Sequence, residues 1–182
     1  RGKCKGCGRK ISWQYPLVEL LTGLGFLLVS LSATTYIQLL AGLIFYSILL
    51  VLTFIDIHHK LLPNVLTLGG LILGVIFALF GITISFVQCL LGIAVGGGVL
   101  LLIAILSKGG MGMGDVKLLA MIGAFLGPLY ALVTLFIASL LGSVFGITYL
   151  YFTKQSRKTP IPFGPFLAIG AFLIYTKGIF GL

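Results

Sequence analysis

Apolar runs follow one another along almost the whole chain, broken only by short stretches that carry Gly, Pro or charge. Seven can be read, roughly at 16–33, 35–56, 62–80, 82–106, 115–127, 129–152 and 160–180. Most approach the ~20 residues a helix needs to cross a hydrocarbon core. They are continuous rather than alternating, which favours helices over a membrane barrel. The expected fold is therefore all-α: one polytopic membrane helical bundle with about seven transmembrane segments. The run from Asp115 is short and ends at "LGP" (126–128), so it is expected to lean on its neighbours rather than span alone. Composition excludes the soluble alternative. Charged residues make up 8% of the chain and hydrophobic ones 59%, against roughly a quarter charged in soluble domains.

The net charge is +9, from twelve Lys and Arg against Glu19, Asp56 and Asp115. In a soluble protein this would suggest nucleic acid. Here the basic residues sit in short connections, where they orient helices, so the expected partner is the lipid bilayer and not nucleic acid. If the N-terminus, with five positive charges in its first ten residues, lies in the cytoplasm, the alternating loops on that side also hold Lys60, Lys108, Lys117, Lys154, Arg157 and Lys158. That is eleven of the twelve, leaving Lys177. The outer connections near 33–36, 80–83 and 127–129 hold none. The orientation that follows puts all three acids near the cytoplasmic face. The chain begins at Arg1 and shows no signal peptide, and a preceding N-terminal piece of the natural protein is expected.

Two of the acids sit in distinctive stretches. In "FIDIHHKLLPNVLTL" (54–68), Asp56 is read as closing the second helix, with His58, His59 and Lys60 in a polar turn and Pro63 starting the next helix. The plain structural alternative is an interface residue paired with Lys60. In "GGMGMGDVKLL" (109–119), Gly109, Gly110, Gly112 and Gly114 permit close backbone approach before Asp115. The alternative there is a Gly hinge with Asp115 as a helix cap. Phosphate binding is disfavoured, since no GK[ST] follows and a carboxylate would repel the anion. Together the two acids say more than either alone. Carboxylates from different helices at one depth can share a proton and hold a water, one acting as base and the other as acid. Such a pair hydrolyses a peptide bond without Ser, Cys or metal.

These stretches resemble those of the type IV prepilin peptidases, bacterial members of the GxGD aspartyl proteases. The resemblance rests on "DIHHKLLPNVLT" (56–67), "GMGDVKLLAMIGAFLG" (112–127), "KCKGCGRKISWQYPLVEL" (3–20) and "IPFGPFLA" (161–168), in the family's order and over nearly the whole chain. It implies that Asp56 and Asp115 are the catalytic aspartates and that Gly112 and Gly114 are the GxGD glycines. Lys117, Pro63 and Asn64 would then belong to the substrate-facing loops. Asn64 stands where relatives often have Asp, so that position supplies no acid here. The implied reaction is endoproteolytic removal of the basic leader from prepilins or pseudopilins, by a multi-pass enzyme of the bacterial inner membrane with its active site at the cytoplasmic face. Many relatives then N-methylate the new terminus with S-adenosylmethionine. Proteolysis would need no cofactor, while zinc and S-adenosylmethionine are expected only for a full-length form, which would have about eight spans. On this reading residues 1–15 form a cytoplasmic basic segment and 16–182 the transmembrane protease domain.

The remaining features are weaker. "CKGC" (4–7) is half a zinc knuckle, so Cys4 and Cys7 are metal ligands only if a second CxxC lies upstream. Residues that would bind S-adenosylmethionine are not identifiable, and without a complete knuckle little methyl transfer is expected. Glu19 resembles a position linked to methylation, but reads more simply as an interface residue. His58 and His59 read as solvated, and Cys89 as facing lipid or core. "AVGGGVL" (94–100) reads as helix packing. "PFGPF" (162–166) either lies beside the active site or sets a helix entry angle. Two rival functions remain. A small transporter would want an acid near the bilayer middle, and the chain has none. A non-catalytic subunit of pilus or secretion assembly is not excluded by sequence.

Overall fold

The structure, a computed structural model, describes residues 2, 6–7, 12–107, 111–153 and 162–176. Seven helices form among these residues: α1 (Gln14–Ser32), α2 (Tyr36–His59), α3 (Asn64–Leu79), α4 (Phe86–Leu106), α5 (Met113–Leu126), α6 (Pro128–Thr153) and α7 (Gly164–Tyr175). The seven apolar runs thus become seven helices, and the protein is a multi-pass helical membrane bundle. Helices α1, α2, α4 and α6 are long and apolar enough to cross a membrane, whereas α3 and α7 are shorter apolar helices. Large apolar side chains such as Leu24, Leu31, Ile72, Phe136 and Ile147 are exposed around the outside, as a lipid-facing surface requires.

Helix α5 is the centre of the bundle. It has 14 residues, about 21 Å at 1.5 Å per residue, too short to cross. After Lys117 it is apolar on every side, and every residue from Leu118 to Leu126 is buried. A helix apolar all round must be surrounded, and α3, α4, α6 and α7 pack about it. From α2, Phe45 stacks on Phe125 with ring centroids 4.5 Å apart, and Leu49 and Leu52 join the same core, as do Leu167 and Ala171 of α7.

Glycine sets the closest of these approaches. Where Gly92 of α4 crosses Gly123 of α5, a side-chain carbon on either would collide with the backbone of the other. One turn on, a Cβ at Gly96 would stand 2.7 Å from the Leu119 carbonyl oxygen. Within "AVGGGVL", Gly96 and Gly97 face α5 while Gly98 faces open space. The packing role expected of this stretch therefore belongs to two of its three glycines, with Gly92 extending the stripe. Cys89 is fully buried in the same seam.

Helix α1 is peripheral and buries only Gly25 and Val29. The Tyr46 ring lies against Gly25, and its hydroxyl donates to the Leu21 carbonyl at 2.7 Å, which ties α1 to α2.

Candidate active site

Three helix ends meet at one end of the bundle: the C-terminus of α2 and the N-termini of α5 and α7. The sequence pattern placed Asp56 at the close of α2, but the helix continues through His59 and is capped by Lys60. His58 and His59 are therefore helical, and His58 Nδ1 sits 2.7 Å from the Phe54 carbonyl. The turn shrinks to Lys60–Pro63, with Lys60 in the left-handed region at φ 52°. That tight turn is possible because Lys60 N–H bonds the Asp56 backbone carbonyl at 2.8 Å, a helix-terminating geometry.

The extra turn draws Asp56 into the bundle, where it is only 5% exposed. Its carboxylate does not hydrogen-bond Lys60. It accepts from the backbone N–H of Gly164, the first residue of α7, at 2.9 Å. A free N–H at a helix N-terminus is a favourable partner for a carboxylate. A Cβ on Gly164 would lie 2.7 Å from Asp56 Oδ2, so the contact requires a residue without a side chain. Gly164 is a site residue that the sequence pattern did not single out. Its only signal is the Gly between two aromatic–proline steps in "PFGPF", a stretch that reads equally well as a helix entry.

Asp115 also differs from its expected place. The N-cap of α5 is Gly112, and Asp115 is the third helical residue rather than a cap. Its carboxylate folds back over Gly112, whose Cβ, if present, would be 3.4 Å from Asp115 Oδ2. Gly114 serves a different contact. A Cβ there would lie 2.9 Å from Leu62 Cβ, so its bareness lets the α2–α3 turn lie against α5. The two stretches that stand apart in the sequence thus touch.

Asp56 and Asp115, 59 positions apart, are near enough for the charge of one to act on the other. Burial pushes the Asp115 carboxyl up to about 7, and the neighbouring Asp56 charge adds to the shift. Asp115 lies in the first turn of α5, outside the four crossing helices. Near neutrality such a pair holds an acid and a base side by side.

The other residues expected at the site flank this centre. Lys117 Nζ donates to Asn64 Oδ1 at 2.8 Å, joining the first turns of α5 and α3 at the surface. Pro63 is the N-cap of α3, and its carbonyl accepts from the Leu66 and Thr67 amides. Glu19 is exposed on α1. Cys7 is an exposed free thiol, while Cys4, Gly109 and Gly110 lie outside the described residues. Among the described residues no three His, Cys, Asp or Glu side chains gather as a metal site would need.

The chain is similar to known proteins. Residues 43–147 match the Type IV leader peptidase family, and residues 1–33 match the bacterial Peptidase A24 N-terminal domain. Over 98% of its length the chain is 40% identical to a prepilin leader peptidase/N-methyltransferase of Aeromonas salmonicida (strain A449) and spans 63% of that protein. It is 34% identical to the protein so named in Bacillus subtilis (strain 168), spanning 72% of it. For the Legionella pneumophila protein of that name the identity is 40% and the span 62%. No solved structure matches the chain. The matched segment contains both carboxylates and the glycines that join α4 to α5, and the chain belongs to the type IV leader peptidase family.

Proposed function

We propose that this chain is an aspartic endopeptidase that removes the basic leader of type IV prepilins or pseudopilins at the cytoplasmic face of the bacterial inner membrane. The observation that carries the reading is the convergence of Asp56 and Asp115, from helices far apart in sequence, into one electrostatically coupled pair. The names of the relatives support the substrate class. The charge bias of the loops supports the face.

The chemistry follows from the pair. Asp56 Oδ2 accepts a hydrogen bond from the Gly164 N–H and serves as the base. Asp115 keeps its proton up to about pH 7. A water between them loses a proton to Asp56 while its oxygen attacks the scissile carbonyl. Asp115 gives its proton to that carbonyl oxygen as negative charge develops there. The tetrahedral intermediate then collapses, returning the proton from its hydroxyl to Asp115, and Asp56 protonates the departing amine. Atoms and charges balance with one water consumed.

Relatives are also named N-methyltransferases. Cys7 with Cys4 supplies half the ligands of a four-coordinate zinc site, so a knuckle would need two further ligands, and nothing among the described residues marks a methyl-donor site. The proteolytic steps run through neither zinc nor S-adenosylmethionine.

The test is cleavage of a prepilin-like peptide, with a basic leader and an apolar segment after it, by the purified protein in detergent. Wild type should shorten the peptide at one bond. Asp56→Asn and Asp115→Asn should each abolish the cut while leaving the protein folded. Full activity in either variant sinks the proposal.

A further inference from the structure

Two contacts bracket Asp115 on α5, and both run to the segment that leads from α2 into α3. Just before Asp115, Gly114 lies against Leu62, where a Cβ on the glycine would stand 2.9 Å from Leu62 Cβ. Two residues after it, Lys117 Nζ donates to Asn64 Oδ1 at 2.8 Å. Leu62 and Asn64 follow Asp56 along the chain by six and eight positions. The path from one carboxylate to the other therefore closes into a small ring, along the last turn of α2, across to α5 and back to Asp115.

Positions three apart share a helix face, so Gly114 and Lys117 present one face of α5 to this segment. Each residue turns a helix by about 100°, which points Asp115 to one side of that face. Beyond Lys117 the helix is apolar and buried on every side, and apolar burial is non-directional. The glycine seam with α4 meets α5 at Leu119, Ala120 and Gly123, deeper than the first turn. Lys117 and Asn64 supply the first turn with a directional bond, made across 53 positions of sequence.

We propose that Lys117 and Asn64 are positioning residues: their hydrogen bond sets the rotation of the first turn of α5 and so aims the Asp115 carboxylate at Asp56. The proposal rests on the proteolytic reading above and gives the two residues a role that acts through Asp115 rather than on the substrate. The bond lies at the surface, where such a link adds little to stability. A shift of about 1 Å at a reacting group, by contrast, costs on the order of a hundredfold in rate. Loss of the bond should thus show in rate and not in melting temperature.

The experiment measures kcat, KM and melting temperature in detergent, with a prepilin-like peptide, for Lys117→Met, Asn64→Leu and the double variant. Each substitution removes one partner and keeps a side chain of similar size. Each single variant should lower kcat about tenfold, leave KM within about twofold of wild type and leave the melting temperature unchanged. The double variant should be no slower than either single one, because two residues that act through one bond are not additive. Asn64→Asp keeps an acceptor for Lys117 and should retain the wild-type kcat, and an Asn64→Asp enzyme as slow as Asn64→Leu would overturn the clasp. Losses that multiply in the double variant, to about a hundredfold, would show two independent roles and overturn it as well. So would a rise in KM confined to Lys117→Met, as expected if the ammonium holds the substrate itself. So would a melting temperature that falls in step with kcat, the mark of a purely structural contact. Wild-type kcat in both single variants overturns the clasp while leaving the protease standing, whereas a wild type that cleaves no peptide overturns both readings.

Discussion

Asp56 depends on a residue that contributes only a backbone amide. A methyl group at position 164 would intrude to 2.7 Å from Asp56 Oδ2, so Gly164→Ala must move the carboxylate even though the N–H remains. A displacement of about 1 Å at a reacting group costs on the order of a hundredfold in rate. Gly164→Ala should therefore lower kcat/KM for leader cleavage by about that factor, with little change in melting temperature in detergent. Near-wild-type cleavage would show that the carboxylate does not need its present position. Asp115 gives a pH prediction. Its value in the fold, about 7, lies above the ordinary 3.8, so the fold favours the protonated form. The proton is in place below about pH 7 and is lost above it. kcat/KM should accordingly fall as pH rises through about 7, and stability should decline modestly over the interval from 3.8 to about 7. An activity profile flat from about pH 6 to 8 would contradict the assignment of Asp115 as the acid. Both acids of the candidate pair stand out in sequence because a chain with three acids makes each conspicuous. Gly164 was not, because its role is to leave space where a carboxylate arrives from 108 residues away.

At the scale of helices, the position of Asp115 is set by the seam between α4 and α5. Gly92 and Gly123 bring the two backbones into contact, and Gly96 and Gly97 extend the seam toward the carboxylates. Gly92→Ala would press a methyl into the Gly123 peptide, 2.7 Å from its carbonyl carbon. Backbone cannot yield as a flexible side chain can, so the helices must separate, at a cost of about 1–3 kcal/mol. The expected result is a lower melting temperature together with reduced cleavage, because α5 carries Asp115 with it. Gly98→Ala is the control. It has the same sequence context but open space around it, and should leave both quantities unchanged or raise stability slightly through helix propensity. Equal effects from the two substitutions would remove the seam from the account. The sequence showed that α4 was glycine-rich. Which glycines matter depends on which face meets α5, and a helix that is apolar all round gives no sign of its facing. Helix ends were similarly blurred: the capping of α2 by Lys60 rather than at Asp56 is a local backbone event, and apolar periodicity does not record it.

For the whole molecule, the loop charges and the bundle make one statement about orientation. Asp56, Leu62, Asn64, Gly114, Lys117 and Gly164 share one end, where α2, α3, α5 and α7 touch through these residues. The other end is marked by the Tyr175 hydroxyl, which donates to the Gln38 carbonyl at 3.5 Å. The end with the carboxylates should face the cytoplasm. Single cysteines at the exposed positions Leu61 and Thr34, in a background without Cys4, Cys7 and Cys89, test this in intact cells. An impermeant thiol reagent should label Thr34→Cys and not Leu61→Cys, and the reverse pattern would overturn the orientation.

The sequence by itself determined the helical membrane class, the number of helices, the shortness of α5 and the two acids of the candidate pair. Each of these is written in local order: run length, absence of alternation, rarity of charge and the spacing of glycines around Asp115. Only the tertiary structure decided that Asp56 is withdrawn into the bundle, that α7 returns to bond it through Gly164, and that Lys117 reaches Asn64. Those facts are contacts between segments separated by tens of residues, and they exist because burying α5 on every side beyond Lys117 makes its neighbours converge around it.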